Sequence, residues 1–155
     1  MAVAELTEAE VAAQEERLVF SEFTEVTAFD VGCRLVERAR AENAPVVIDI
    51  RTPDRTLFHA ALTGATPAND IWAMRKSNVV FHFHRASMAI QLMHARKGAS
   101  IGPQIGLDPM DYADHGGSFP VRVVGAGVIA AITVSGLASA EDHGMIVSVF
   151  EGLER

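Results

Sequence analysis

Two stretches of this chain carry residue types that bind charged ligands or move protons. They are residues 69–83, N-D-I-W-A-M-R-K-S-N-V-V-F-H-F, and the run His115-Gly116-Gly117-Ser118-Phe119-Pro120. On a helix, positions 72, 75, 76 and 79 share one face. Trp72 and Val79 are expected to point to the core, flanked by Arg75 and Lys76. Two neighbouring cations can grip a carboxylate. They can equally form a solvated helix face whose aliphatic stems lie along an apolar stripe. In the second run, the paired glycines permit positive φ or a close backbone approach to a ligand, and the amides of such a turn can hold an anion. His115 is then placed to act as a general base or an axial ligand; the plainer alternative is a tight turn entering a strand at Phe119.

Further along, Ser135-Gly136-Leu137 closes an apolar run and Asp142-His143 opens a helix, whose N-terminus favours anions. Asp142 stands three residues after Ser139, which is also capping spacing. His143 lies one turn into the helix and is a candidate to face the same pocket as His115. His82 and His84 would share a direction on a strand, but on a helix they lie about 200° apart and cannot hold one metal. No metal site is expected. Cys33, the lone cysteine, lies between apolar residues and reads as a small buried hydrophobe. No nucleophile elbow, metalloprotease motif or phosphate loop is present.

The elements that must position these residues follow from caps and periodicity. Thr7 with Glu10 has capping-box form and opens a helix to about Leu18. Residues 19–26 read as a strand. Thr27 is expected to cap a second helix, which Pro45 ends. Val46–Ile50 is a β-branched strand, Pro53 lies in a turn, and Thr56–Leu62 returns as the second arm of a hairpin. Residues 69–97 are helical and closed by Gly98. At 1.5 Å per residue that span is roughly 44 Å long, so a break is expected near Arg85–Ser87. Residues 99–118 form a long irregular loop, of the kind that is often functional. Phe119–Val124 and Val128–Val134 are strands joined by Gly125-Ala126-Gly127, the second central because both of its faces are apolar. A last helix runs from Ser139 to about Leu153. The order α-β-α-β-β-α-β-β-α implies an α+β arrangement with a five-stranded, largely antiparallel sheet covered by helices.

The Asn-Trp-Arg-Lys pattern of residues 69–78 and the H-G-G-S-F-P run together resemble the haem-degrading HbpS/GlcG-like domain group, over the whole of residues 1–155. The resemblance implies a profilin-like α/β sandwich, a tendency to form multimers, and haem as one candidate ligand. It does not specify a reaction, because that group is poorly characterised. His82 and His84 depart from its pattern and inherit no role from it.

Composition narrows the classes of function. A net charge of −7 repels a phosphate backbone, so nucleic acid is not an expected partner. The chain shows no run of about 18 apolar residues and no basic, apolar leader, so neither a membrane span nor a secretory signal is expected. One cysteine permits a reducing cytoplasm. The expectation is a cytoplasmic homo-oligomer that binds a small anionic molecule through Trp72, Arg75, Lys76, His115, Gly116, Gly117, Ser135, Asp142 and His143. An enzyme acting on haem or another small molecule, and an assembly protein without catalysis, are the alternatives.

Overall fold

The structure, a computed structural model, describes residues 5–153. Residues 1–4, the start of the segment read as lacking a leader, lie outside that range. Helices α1 (Glu8–Arg17) and α2 (Glu25–Ala41) precede a hairpin of β1 (Val47–Arg51) and β2 (Thr56–Ala61). Helices α3 (Pro67–Phe83) and α4 (Ser87–Lys97) follow, then β3 (Ser118–Val123), β4 (Gly127–Ser135) and α5 (Ser139–Glu151). All strand pairs are antiparallel, in the order β2-β1-β4-β3.

The sheet has four strands rather than the five expected. Residues 19–26 do not form the missing one. Phe20 makes a single bridge to Val123, and from there the chain turns into α2. The cap of that helix is Thr24, not Thr27: Thr24 accepts from the Thr27 amide and Thr27 reciprocates as the third helical residue. Phe20 and Phe23 instead turn their rings toward each other, 5.1 Å between centroids, and Phe20 packs edge-on to Phe150. Burying aromatic area in the core wins over extending the sheet edge.

The two faces of the sheet differ in chemistry. Ile48, Ile50, Phe119, Val121, Ala130, Ile132 and Val134 join a continuous apolar core with Ala28, Val31 and Leu35 of α2 and Ile146 and Phe150 of α5. Side chains alternate along a strand, so Asp49, Ser118, Thr133 and Ser135 fall on the other face, which α3 crosses. Each of these four is buried, which requires polar partners. Thr133 donates to Ser118 Oγ at 2.9 Å. Asp49 accepts both arms of Arg51 and lies 2.8 Å from His59 Nδ1, while His59 Nε2 reaches Asp70 in the first turn of α3 at 2.9 Å. The His59–Asp70 contact ties the first turn of α3 to the edge of this polar face, while Ala73, Val79 and Val80 of the helix are fully buried.

The expected break in the long helix is present. His84 ends α3 in the left-handed conformation, at φ 56°. α4 restarts at Ser87, where the buried Glu15 of α1 accepts from the Ala86 amide at 2.6 Å and pairs with Arg85 at 2.8 Å. His82 lies on α3 and His84 in the cap beyond it, so the two imidazoles occupy different backbone settings. Cys33 is exposed, contrary to expectation: the apolar stripe of α2 runs through Val31 and Leu35 and leaves position 33 on the outer side.

Candidate functional site

Helix α3, the turn at residues 115–117, the end of β4 and the start of α5 enclose a cavity of about 200 Å³. Asn69, Trp72, Lys76, His115, Ser135, Gly136, Leu137, Ser139 and Asp142 line it. Five of the nine expected site residues therefore meet there: Trp72, Lys76, His115, Ser135 and Asp142.

Lys76 forms the charged centre of this group. Only 4% of it is exposed, and its Nζ donates to Asp142 Oδ2 at 3.1 Å. Asp142, fully buried, also accepts from the Gly136 amide (3.3 Å) and the Leu137 amide (3.0 Å). Its role is thus to fold the strand end back onto α5, not to cap the helix from within as its spacing from Ser139 suggested. Burial pushes the Lys76 ammonium down from its ordinary value, against the pull of Asp142. Burial pushes the Asp142 carboxyl up, opposed by Lys76 and the two amides. The 3.1 Å contact between Nζ and Oδ2 has the geometry of an ion pair. Lys76 carries three N–H donors and spends one on Asp142. The remaining two are available to a ligand.

The pair Arg75-Lys76 does not act as one clamp. Successive residues on a helix point about 100° apart, so Lys76 enters the cavity while Arg75 turns outward. The Arg75 guanidinium stands 4.4 Å from the centroid of the Trp72 ring and donates from Nε and Nη2 to the Pro109 carbonyl, at 3.1 and 2.7 Å. Asn78 donates to the Asp111 carbonyl at 2.8 Å, and the Ala113 amide donates to the Arg75 carbonyl at 3.1 Å. Arg75 and Asn78 thereby strap the loop before His115 onto α3. Trp72, expected in the core, is half-buried as a wall of the cavity, with its ring edge-on to His115 at 5.0 Å between centroids.

The glycines are required by geometry. Gly117 has φ +130°, and a Cβ there would lie 2.5 Å from the Val134 carbonyl oxygen and 2.8 Å from Lys76 Nζ. The Gly116 amide donates to Gln91 Oε1 at 2.7 Å. The turn is thus pinned from α4, and its glycines let β3 start directly against the ion pair. They shape the wall and are not among the lining residues.

His143 does not share the pocket with His115. One position on from Asp142, it is turned about 100° round α5, is 1% exposed, and holds Gln14 Oε1 of α1 at 2.6 Å through Nε2. Its Nδ1 has no partner among the described residues, and desolvation lowers its pKa to about 4. It is a neutral core residue beside Phe119.

Sequence reasoning missed four contributors. Asn69 lines the cavity while its Oδ1 accepts from the Thr66 amide at 2.9 Å. Gln91 and His94 act from α4, and the buried His94 places Nδ1 2.7 Å from Asp114 Oδ2. Asp114 stands next to His115 in the chain, a visible signal; nothing local marks the others. A larger groove of about 610 Å³ lies elsewhere, between α2 and β2, lined by Val36, Ala39, Arg40, Asn43, Ala61 and Leu62 among others. It gathers one cation and no ion pair, so the smaller cavity holds the stronger constellation despite its size. No group of His, Cys, Asp and Glu that could hold a metal ion occurs among the described residues, and no helix among them is long and apolar enough to cross a membrane.

The order of helices and the four-stranded antiparallel sheet are shared with a known group. The model of the "Haem degrading protein HbpS-like" family matches residues 23–151, and the chain belongs to that family. A UPF0303 protein of Streptomyces coelicolor is 48% identical over 145 residues, covering 94% of this chain and 92% of that protein. The crystal structure of Ybr137w superposes with a TM-score of 0.85 at 29% identity, covering 95% of this chain and 87% of that one. The structure of a PduOC:heme complex shares the fold, with a TM-score of 0.69 at 18% identity over 88% of this chain and 96% of that one.

Proposed function

We propose that this protein binds a small anionic molecule in the cavity between Trp72, Lys76 and His115. The observation that supports this reading best is the buried ammonium of Lys76, oriented by Asp142 and retaining two donors. The start of α5 adds to it. Ala138 supplies no side-chain cap, and the Ser139 and Ala140 amides donate to no group among the described residues. Asp142 cancels the formal charge of Lys76, so the attraction comes from these free donors and the partial positive charge of the helix end. An anion of one or two charges suits that balance.

Haem does not fit this cavity. Its volume lies below the roughly 300–1,000 Å³ usual for cofactor sites, and apart from Trp72 and Leu137 its lining is polar. A macrocycle would have to lie across the mouth, where His115, with half its side chain exposed, is the candidate contact. The same reading takes the protein as a cytoplasmic homo-oligomer with no nucleic-acid partner. The exposed Val26 and Phe29 beside the free β2 edge support self-association.

Trp72 is the only tryptophan, so its fluorescence reports occupancy directly. Titration with acetate, pyruvate, inorganic phosphate and haem should give a saturable change for a small anion, weakened by at least tenfold in Lys76→Gln. If haem alone perturbs Trp72, the small-anion reading fails.

A further inference from the structure

The loop that closes the cavity also brings two imidazoles close to one carboxylate, only one of them within hydrogen-bond distance. His94, buried on α4, holds Asp114 Oδ2 at 2.7 Å. The other oxygen, Asp114 Oδ1, lies 3.6 Å from Nδ1 of His115. The His115 ring is steadied at its edge by Trp72, and its Nε2 takes no hydrogen bond from any described residue. On the same small cavity Lys76 presents its ammonium, held by Asp142. An imidazole with a free ring nitrogen and a buried ammonium on the same small cavity is an arrangement that can move a proton next to a carbonyl.

We propose that His115 and Lys76 form an acid–base centre that moves a proton on the carbon adjoining the carbonyl of a short 2-oxo carboxylate. The proposal rests on the small-anion reading and names its substrate class. In the step, His115 Nε2 takes the proton from that carbon. The C–H electron pair forms a carbon–carbon double bond, and the carbonyl π pair moves onto oxygen as an enolate. Lys76 stabilises that oxygen with an N–H donor. The His115 imidazolium then returns its proton to carbon, or gives it to the oxygen to release the enol. Nothing is oxidised and no co-reactant is consumed. The Asp114 carboxylate, 3.6 Å from Nδ1, makes no hydrogen bond to the ring and acts on His115 only as a nearby negative charge. The cavity of about 200 Å³ limits the substrate to a few carbons. Ser135 and Ser139 also line it, but neither hydroxyl is hydrogen-bonded to His115, which favours proton transfer over attack by an activated serine.

The test follows the methyl and methylene proton signals of pyruvate, 2-oxobutyrate and 2-oxoglutarate by NMR in D2O, with Trp72 fluorescence recorded on the same samples. At least one probe should exchange its protons faster than in buffer alone. His115→Gln, at a half-exposed position that tolerates the change, should remove about 10²–10⁴-fold of that acceleration while leaving the Trp72 response saturable. If a probe perturbs Trp72 but exchanges at the buffer rate, or if His115→Gln exchanges as fast as the parent, the acid–base proposal is overturned and the binding reading stands. If none of the three perturbs Trp72 and none exchanges, both fall for this class of ligand.

Discussion

Lys76 Nζ and Asp142 Oδ2 lie 3.1 Å apart, joining α3 to α5 across 66 positions of sequence in a site almost closed to solvent. Removing one partner of such a pair leaves an uncompensated buried charge, which costs about 3–5 kcal/mol. Lys76→Met should therefore lose stability of that order in urea unfolding. Asp142→Asn should lose a comparable amount, because it leaves the Lys76 ammonium uncompensated and its single amide oxygen can replace Oδ1 toward Leu137 or Oδ2 toward Lys76 and Gly136, but not both. A much smaller loss in Asp142→Asn would mean that the carboxylate charge does not hold the site together.

Gly117 stands where no side chain fits. Gly117→Ala must force a left-handed φ on alanine, costing about 1–3 kcal/mol, and place a methyl group 2.5 Å from the Val134 oxygen. We expect a loss of at least about 2 kcal/mol, together with a displaced Lys76 and a weakened Trp72 response to anions. Thermal unfolding and the fluorescence titration read the two effects separately.

Stability should fall in mild acid because of His143. Its pKa is depressed to about 4 in the folded protein, from about 6.5 when unfolded. Between those values the unfolded chain binds more protons, so the contribution of His143 is complete above pH 6.5 and is lost as pH falls toward 4. The full span is worth about 3 kcal/mol. His143→Gln, which keeps a partner for Gln14, should flatten the pH dependence of unfolding free energy between pH 6.5 and 4.5 relative to the parent. An unchanged slope would show that His143 is already charged in the fold.

Arg75 straps the loop before His115 onto α3. Arg75→Ala removes two hydrogen bonds to Pro109 and the contact over Trp72, together about 1–2 kcal/mol of local stabilisation. Hydrogen exchange at the Ala113 amide should accelerate, with the Val134 amide in the central strand unaffected. Anion affinity should drop through the loosened His115 loop, with a far smaller salt dependence than Lys76→Gln shows.

The parts of this account that were readable in the sequence are those set by local chemistry. The caps at Thr7 and Gly98, the β1–β2 hairpin, the central position of β4 and the break before Ser87 all follow from neighbours in the chain. The meeting of His115 with Trp72 and Lys76 at one cavity is set by the packing of α3 against the end of β4 and the start of α5, which neighbouring residues do not encode. Residues 19–26 misled because alternating apolar residues serve a strand and an aromatic core cluster alike. The exchange of roles between Arg75 and Lys76, and between Asp142 and His143, depends on helix phase relative to α4, α5 and α1, which neighbouring letters do not encode. His94, Gln91 and His59 act through side-chain partners 10 or more positions away, and no local pattern announces them.

The most direct test of the central claim is amide-resolved NMR of the labelled protein during titration with pyruvate. Shifts are expected at residues 69–76, 114–118 and 135–142, which surround the Lys76–Asp142 pair, and they should vanish in Lys76→Gln. Shifts confined to residues 36–44 and 61–63, at the larger groove beside Arg40, would place anion binding elsewhere and contradict the account.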